Sequence, residues 1–509
     1  MRLNHDPIGA TFRIHGHSRK RRGFFMLRTK AMAAALLLAA LATGSRAFAQ
    51  FETRANVNIL KEGPHSVVVG DFNGDGIPDV ATIGYVEGAG RVQVLLGNGD
   101  GTFRLGATYS TDAALYGAAA SLRRNGILDL IFGGLGTDAV YVMLGNGDGT
   151  FQPPVSYAAT GESQMIALGD FMGDGKIDIV DLEDTSSQGI VCDCIEVLPG
   201  NGDGTFGPPI STLPVPYSIT GVSIAAGNFS DDGKLDLAVG GFFGYATQVD
   251  ILLGNGDGTF TPDGYYSLGA SPGSVATGYF TSDKKDLDMA LTNDTTVDVM
   301  LGNGNATFQQ PVFYDTWFPS WVIALDLNGD GKIDLAASNS ASLPVSEPGV
   351  TVFYGNGDGT FQPGIFFRVG SDEGGSFVAA GDFNGDGKPD LLVVNAVNGD
   401  VTTLLNTGVA HFSPTTPLNF KEQAVGTTSL PQTVTLTNTG KTALKIASMK
   451  ATAQFGVTST CGSSVEAGAN CMISATFSPI KKGAAQGTIT IVDSASSKPQ
   501  VIALLGTGT

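Results

Sequence analysis

The sequence predicts an all-β protein, in which a seven-bladed β-propeller is followed by an Ig-like β-sandwich. Three observations lead to this prediction: a recurring acidic motif, a glycine-rich motif after each copy, and a different strand pattern after the last copy. The 509 residues exceed what one hydrophobic core normally supports. Glycine is abundant (71 residues), 42% of residues are hydrophobic and only 15% are charged, which favours short strands joined by tight turns.

The acidic motif is the first repeat. The segment from Val68 to Asp79 reads VVGDFNGDGIPD, and close copies end at Asp334 and Asp390. Weaker copies end at Asp129, Asp178, Asp236 and Asp288. The first loop positions are 71, 121, 170, 228, 279, 326 and 382, so a supersecondary unit recurs at a nearly constant period.

The glycine-rich motif is the second repeat. LLGNGDGTF ends at Phe103 and recurs with ends at Phe151, Phe206, Phe260 and Phe361, while eroded copies end at Phe308 and Phe412. Alternating apolar runs lie between the two motifs and predict strands. Each unit thus contains four antiparallel strands, as a propeller blade does. A ring of six or eight blades would require one degenerate copy to be miscounted.

The two ends of the propeller are predicted to meet. The segment from Gln50 to Ile59 resembles a fourth strand with no blade before it, so we expect it to complete the last blade. The predicted domains are a signal peptide (residues 1–49), the propeller (residues 50–412) and the Ig-like sandwich (residues 413–509).

The N-terminus resembles an export signal. A basic stretch precedes the apolar run from Ala31 to Ala42, and Ala47-Phe48-Ala49 supplies a small-x-small cleavage site before Gln50. The apolar run is shorter than the ~20 residues that span a bilayer. We therefore expect an extracellular or cell-surface protein with no membrane span after cleavage. An Arg21-Arg22 pair leaves twin-arginine export open.

The charge balance limits the partners. Cleavage removes nine Lys/Arg and one Asp from totals of 29 and 48, which leaves 20 basic and 47 acidic residues and a net charge of −27. Nucleic acid is therefore an unsuitable partner.

The acidic loops carry oxygen ligands at positions 1, 3, 5 and 9, and Ca²⁺ prefers six to eight oxygens. We expect calcium in three complete sets: Asp71, Asn73, Asp75 and Asp79; Asp326, Asn328, Asp330 and Asp334; and Asp382, Asn384, Asp386 and Asp390. Two incomplete sets are weaker candidates: Asp170, Asp174 and Asp178, and Asn228, Ser230, Asp232 and Asp236. The second copy, with Arg123 and Arg124, and the fifth, with Lys284 at the turn, are predicted to bind no ion.

Two other interpretations of these loops compete with calcium binding. An EF-hand requires a glutamate at position 12 and flanking helices, but Thr82, Ala337 and Val393 occupy that position between predicted strands. An Asx-rich turn without an ion is the remaining alternative.

The motif DFNGDGxxD inside a predicted blade resembles the FG-GAP repeats of integrin alpha chains and of bacterial VCBS-repeat proteins. The resemblance covers residues 50 to about 412. It implies a seven-bladed propeller with calcium in loops on its lower rim. It implies no particular ligand, because function depends on sites and not on the fold.

After Phe412 the strand pattern changes. The segment NFKEQAVGTTSLPQTVTLTNTG and the later ATFSP and LLGTGT resemble bacterial Ig-like domains of the Hydin or ASH type. That resemblance implies a disulfide between Cys461 and Cys471, which an exported protein would oxidise. Cys192 and Cys194 alternate on one predicted strand, and either a strained bridge or two thiols fits them.

The sequence favours binding over catalysis. No nucleophile triad, zinc cluster, phosphate loop or dinucleotide motif stands out, and only His65 and His411 remain after cleavage. Both motifs fall on one rim, so variable connections form the other. Aromatic residues that suit a glycan or protein ligand include Phe243, Tyr245, Tyr265, Tyr266, Trp317 and Phe318. Packing between blades is the structural alternative for these side chains. A polysaccharide lyase or hydrolase and a structural spacer are the alternative functions.

Overall fold

The computed structural model describes residues 51–509 except 54–56, 59–63, 87–88, 113–115, 135, 185–192, 211, 215–219, 244–245, 269–272, 341–347, 370–374, 396–398, 407–409, 414–417, 439–442, 467 and 495–499. The predicted signal peptide and Cys192 lie outside these ranges. The described residues form strands and no helix, so none of them forms a helix that could cross a membrane. The chain divides into two compact units, with the boundary between Val409 and Ala410.

The first unit contains seven antiparallel sheets among its described residues. Blade 1 consists of β3 (Pro64–Gly70), β4 (Asp79–Val86), β5 (Ala89–Gly97) and β6 (Phe103–Thr111). Blade 2 consists of β7 (Gly117–Ala120), β8 (Asp129–Gly133), β9 (Ala139–Met143) and β10 (Val155–Ala158). Blade 3 consists of β11 (Glu162–Gly169), β12 (Asp178–Asp184), β13 (Asp193–Leu198) and β14 (Thr212–Pro214).

The remaining sheets follow the same plan. Blade 4 consists of β15 (Thr220–Gly227), β16 (Asp236–Phe243), β17 (Ala246–Gly254) and β18 (Phe260–Ser267). Blade 5 consists of β19 (Val275–Gly278), β20 (Asp288–Thr292), β21 (Thr296–Met300) and β22 (Val312–Asp315). Blade 6 consists of β23 (Pro319–Leu325), β24 (Asp334–Asn339), β25 (Gly349–Phe353) and β26 (Ile365–Arg368).

The last blade joins the two ends of the unit. It consists of β27 (Gly375–Gly381), β28 (Asp390–Asn395) and β29 (Asp400–Asn406), and β29 pairs with both β1 (Phe51–Thr53) and β2 (Val57–Asn58). Phe51 lies opposite Asn406 in the β1–β29 ladder. The prediction that the N-terminal segment completes the last blade is therefore confirmed. The first strands of successive blades contact one another in order, and β27 contacts β3, which closes the ring.

Apolar side chains fill the space between blades. One cluster joins Val92 and Val94 of blade 1 to Leu130 and Met143 of blade 2, and similar clusters lie between other neighbouring blades. Near the centre, rings from the inner ends of three blades contact one another. Trp321 lies 4.6 Å from Phe377 and stacks on Tyr116 at 6.2 Å between ring centroids. The all-β propeller class predicted from the sequence is confirmed.

The second unit is a two-sheet sandwich. One sheet contains β30 (Ala410–Ser413), β32 (Gln432–Asn438), β36 (Asn470–Phe477) and β34 (Phe455–Ser459). The other contains β31 (Leu418–Gln423), β38 (Gln500–Gly508), β37 (Gly483–Asp493), β33 (Leu444–Ala451) and β35 (Ser464–Val465). Buried Phe477, Leu436 and Ile489 lie in its interior, and a disulfide joins Cys461 to Cys471.

The domain boundary differs from the sequence-based one by three residues. Ala410–Ser413 pairs with β32 of the sandwich, opposite Thr435–Asn438, and does not form the outer strand of a blade. Phe412 lies opposite Leu436 of the sandwich, so it does not take the hairpin position that its similarity to the other copies predicts. The physical reason is that β1 already occupies the outer edge of the last blade.

Candidate functional site

The acidic loops connect the first and second strands of each blade, and in blades 1 to 6 the glycine-rich hairpins connect the third and fourth. Because neighbouring strands are antiparallel, both connections lie at the same end of the blade. The repeated motifs therefore share one rim, and the other ends of these strands lie at the opposite rim.

The three complete loops fold on their own side-chain oxygens. Asp71 Oδ1 accepts the Gly74 N–H at 2.7 Å, and its Oδ2 accepts the Gly76 N–H at 2.9 Å. Asp75 Oδ1 accepts the Ile77 N–H at 2.8 Å. The loop starting at Asp326 repeats these bonds. In the loop starting at Asp382, Oδ1 accepts the Asp386 N–H at 2.9 Å and Oδ2 accepts the Gly387 N–H at 2.7 Å. Asx turns of this kind gather the oxygens at positions 1, 3 and 5 on one short loop.

The aspartate at position 9 has a different environment. Asp79 is fully buried, and its two oxygens accept the N–H groups of Phe72 (3.0 Å) and Gly97 (2.8 Å). The same pair of bonds occurs at the last aspartate of every acidic loop, including those predicted to bind no ion: Asp129, Asp178, Asp236, Asp288, Asp334 and Asp390. This aspartate thus holds the acidic loop against the third strand or hairpin of its own blade. Sequence reasoning assigned it only as a metal ligand.

Burial also changes the titration of these aspartates. Removal from water, together with the nearby Asp330 and Asp326 carboxylates, raises the pKa of Asp334 to about 8. Burial likewise raises the pKa of Asp390 to about 7. The complete loops therefore concentrate negative charge around a buried carboxylate.

In blade 2 an arginine side chain brings a positive charge into the acidic loop. Arg123 occupies position 3, and its guanidinium lies 2.5 Å from Asp129 Oδ1 and 2.6 Å from the Gly145 carbonyl oxygen. A tethered positive charge thus occupies the place where the complete loops have Asn73, Asn328 and Asn384. The oxygens at these positions match the hard ligands that Ca²⁺ takes.

The two incomplete loops differ from each other. In blade 3, Met172 lies at position 3 and Asp174 forms an ion pair with Lys176 at 2.7 Å. In blade 4, Asn228 Oδ1 is buried and has no hydrogen-bond partner. An unsatisfied buried oxygen is costly, and an ion in this loop would satisfy it. Across the described ranges, no preformed cluster of three or more His, Cys, Asp or Glu side chains is suited to hold a metal ion.

The predicted ligand-binding aromatics are distributed over different surfaces. Trp317 is 61% exposed and lies, with the half-buried Phe318, in the connection between β22 and β23 on the rim opposite the loops. Tyr265 is 55% exposed, but it lies in the outer strand β18 and not in a connection as predicted. The side chain of Phe243 and the whole of Tyr245 lie outside the described residues.

Tyr266 forms a contact between two blades. Its ring lies edge-on to Phe308 of the next blade at 5.7 Å, and its hydroxyl accepts the Phe308 N–H at 2.8 Å. Tyr109 with Phe151 and Tyr314 with Phe361 repeat this contact. The aromatic residue follows the hairpin phenylalanine of its own copy at a constant spacing, a signal that the sequence contains and that we did not use.

A buried acidic cluster in blade 3 was also missed. Asp181, Glu183 and Glu196 are almost fully buried on β12 and β13, although they alternate with apolar residues like ordinary strand positions. The Thr160 N–H donates to Glu183 Oε1 (3.0 Å) and Glu196 Oε2 (3.1 Å). The Ser163 hydroxyl donates to Asp181 Oδ1 at 2.5 Å. Burial raises the pKa of Asp181 to about 8, and burial together with the Glu196 side chain raises that of Glu183.

Comparison with known proteins agrees with this architecture. The FG-GAP-like repeat family matches residues 71–123, 122–180, 280–337 and 339–393, and the ASH family (abnormal spindle-like microcephaly-associated, ASPM-SPD-2-Hydin) matches residues 407–501. No curated protein matches the chain significantly. The fold and repeats thus define a propeller of the kind that serves as a binding module.

Two solved structures resemble the chain. "Crystal structure of BBS1N in complex with ARL6DN, soaked with lead" is 12% identical, with a TM-score of 0.50 over 70% of this chain and 97% of that one. "Structure of Dos1 propeller" is 10% identical, with a TM-score of 0.45 over 72% of this chain and 96% of that one. The chain thus carries FG-GAP-like repeats in a propeller fold, followed by an ASH domain of the Ig-like class.

Proposed function

We propose that this protein is an exported, calcium-stabilised propeller that binds a glycan or protein ligand outside the cell through the rim opposite its acidic loops. The observation that supports ligand binding most directly is the presentation of Trp317. Its side chain is 61% exposed although the chain around it is firmly held.

Buried groups fix the Trp317 segment. Asn339 is fully buried, and its Nδ2 donates to the Trp317 carbonyl oxygen at 2.7 Å and to Thr316 Oγ1 at 2.9 Å. Thr351 Oγ1 donates to Asn339 Oδ1 at 2.8 Å. A large exposed ring on a preorganised segment loses little entropy on binding, which is typical of an anchor residue.

Trp317→Ala tests this proposal on a glycan array and in binding to cell surfaces. Phe313→Ala is the matched control, because Phe313 is 57% exposed but lies on the outer strand β22. We expect Trp317→Ala to weaken ligand binding at least tenfold, in the range of an interface anchor. The control should change the binding affinity little. Unchanged binding by the Trp317 variant would exclude this rim segment as the binding site.

Calcium would be held by the complete loops of blades 1, 6 and 7 and, with fewer ligands, by those of blades 3 and 4. The ligands in blade 1 are Asp71, Asn73, Asp75 and Asp79, and corresponding residues serve in the other loops. The ion would offset the charge that these carboxylates bring together, as Arg123 does in blade 2. At free calcium ten times the dissociation constant, each site contributes about 1.4 kcal/mol to the free energy of unfolding.

Export is supported by the basic and apolar N-terminal segment and its small-x-small site. N-terminal sequencing of protein recovered outside the producing cell should begin at Gln50. Protein that retains the first 49 residues inside the cell would contradict export.

A further inference from the structure

A small cavity lies at the outer edge of blade 4, between β17 and β18. It has a volume of about 280 Å³ and is lined by Asp250, Leu252, Pro262, Asp263, Gly264 and Tyr265. The β17–β18 register shifts here, because Ile251 lies opposite Gly264 and Leu252 opposite Pro262, which leaves Asp263 as an extra residue. Such bulges redirect side chains and often accompany binding sites.

Asp250 is the unusual residue of this cavity. It is only 3% exposed, and Gln248 Nε2 donates to its Oδ1 at 2.9 Å. Its Oδ2 is buried and has no hydrogen-bond partner. Burial of a carboxylate with an unsatisfied oxygen is energetically unfavourable. A hydrogen-bond donor or a cation at this oxygen would compensate for it.

The equivalent positions of blades 5 and 1 are satisfied internally. In blade 5, Asp298 accepts Asn293 Nδ2 at 2.8 Å and Thr296 Oγ1 at 2.6 Å. In blade 1, the equivalent residue is Gln93, whose Oε1 accepts the Thr108 hydroxyl at 2.6 Å. Thr108 lies opposite Gln93 in the ladder, just as Tyr265 lies opposite Asp250. Where blade 1 has the donor Thr108, blade 4 thus has the aromatic ring of Tyr265 beside a cavity.

The lining groups select the kind of ligand. The polar side chains are two carboxylates and one phenol, and no lysine or arginine lines the cavity. Carboxylates accept hydrogen bonds, whereas ammonium and guanidinium groups only donate them. The face of a tyrosine also attracts a cation. A neutral sugar, whose hydroxyl oxygens require donors as well, matches this set less well.

We propose that this cavity binds a basic side chain, lysine or arginine, of a partner polypeptide, with Asp250 and Asp263 as its acceptors and Tyr265 against the cation. The inference deepens the proposed binding function by adding a second contact site, at the outer edge of the propeller, for a protein partner. The excess of acidic residues in the chain would bring such a partner to the surface.

The test measures binding of a fluorescent oligolysine peptide to the purified full chain by anisotropy, at about 0.15 M salt to limit nonspecific attraction. Asp250→Asn should weaken binding about tenfold or more, because it removes a buried charge that meets the ligand. Asp298→Asn is the matched control, since it removes the same charge from the same blade position where both oxygens are satisfied. It should have little effect.

A second pair of variants tests the aromatic contact. Tyr265→Ala should weaken the peptide about two- to fivefold, as expected for an exposed cation–π contact, and Phe313→Ala should not. Thermal unfolding of each variant checks that it is folded. The lysine-acetylated peptide and neutral monosaccharides should neither bind nor compete.

Two outcomes would overturn the inference. If Asp250→Asn and Asp298→Asn weaken peptide binding equally, the peptide responds only to the net charge of the protein. Equal binding of the acetylated peptide, or competition by a sugar, would mean that the cavity does not recognise a cation. Trp317→Ala is expected to leave peptide binding unchanged, so failure of the rim site and failure of this cavity are distinguishable.

Discussion

The main-chain N–H of Gly149 donates to the carbonyl oxygen of Phe72 at 2.9 Å, which joins the hairpin of blade 2 to the acidic loop of blade 1. Equivalent bonds connect other neighbouring blades: Gly101 to Phe383, Gly258 to Phe171, Ala306 to Phe229 and Gly359 to Phe280. The two repeated motifs are therefore two sides of one contact between blades, and their joint recurrence follows from it.

Gly149→Ala tests this contact. Gly149 has a φ of +82°, and an added Cβ would lie 2.8 Å from Leu96 Cδ2 in blade 1. We expect a loss of about 2–4 kcal/mol in the free energy of unfolding, from backbone strain and overpacking together. Gly126→Ala is the control, because its φ is +80° and nothing lies within 4 Å of its added Cβ. It should cost only about 1–2 kcal/mol. Equal losses in urea unfolding would show that the blade contact contributes nothing.

Asp129→Ala tests the structural role of the last loop aspartate in a loop that is predicted to bind no ion. The change removes the acceptor of the Leu122 and Gly145 N–H groups and leaves Arg123 without its carboxylate. We expect a loss of about 3–5 kcal/mol, typical of a broken buried ion pair, whether unfolding is measured in calcium or in EGTA. A loss seen only in calcium would instead make Asp129 a metal ligand.

The sequence predicted the fold well because the repeat is carried by residues with strict backbone roles. Gly76 and Gly101, for example, have φ values of +81° and +82°, which few other residues adopt. The sequence predicted the site residues less well, since one residue type serves several purposes. Asp79 matches a calcium ligand and also an internal acceptor. Tyr265 and Tyr266 are adjacent tyrosines on one strand, and successive side chains of a strand point to opposite faces. Tyr265 is therefore exposed, whereas Tyr266 lies between blades.

The acidic cluster of blade 3 predicts a pH dependence of stability. Because the pKa of buried Asp181 is raised from 3.8 to about 8, the folded state keeps a proton that the unfolded chain releases above about pH 4. The free energy of unfolding should therefore fall as pH rises from 6 to 8, by up to about 1.4 kcal/mol per pH unit for each such proton. Burial raises the pKa of Glu183 in the same direction.

Glu183→Gln should raise stability at pH 8 and flatten this pH profile, because an amide needs no proton to remain neutral. Glu466→Gln, at an exposed position of the sandwich, should leave the profile unchanged. Urea unfolding in EGTA at several pH values measures both. A profile that rises with pH in the unsubstituted protein would contradict the assignment of neutral acids in blade 3.

The most direct test of the account is unfolding of the purified protein in calcium and in EGTA, with bound calcium counted by atomic absorption. We expect three to five ions per chain, from the three complete and two incomplete loops. We also expect the free energy of unfolding to fall by on the order of 4–7 kcal/mol when calcium is removed from near-saturated protein. No bound ion and no change in stability would contradict it, and the acidic loops would then be Asx turns that only connect strands.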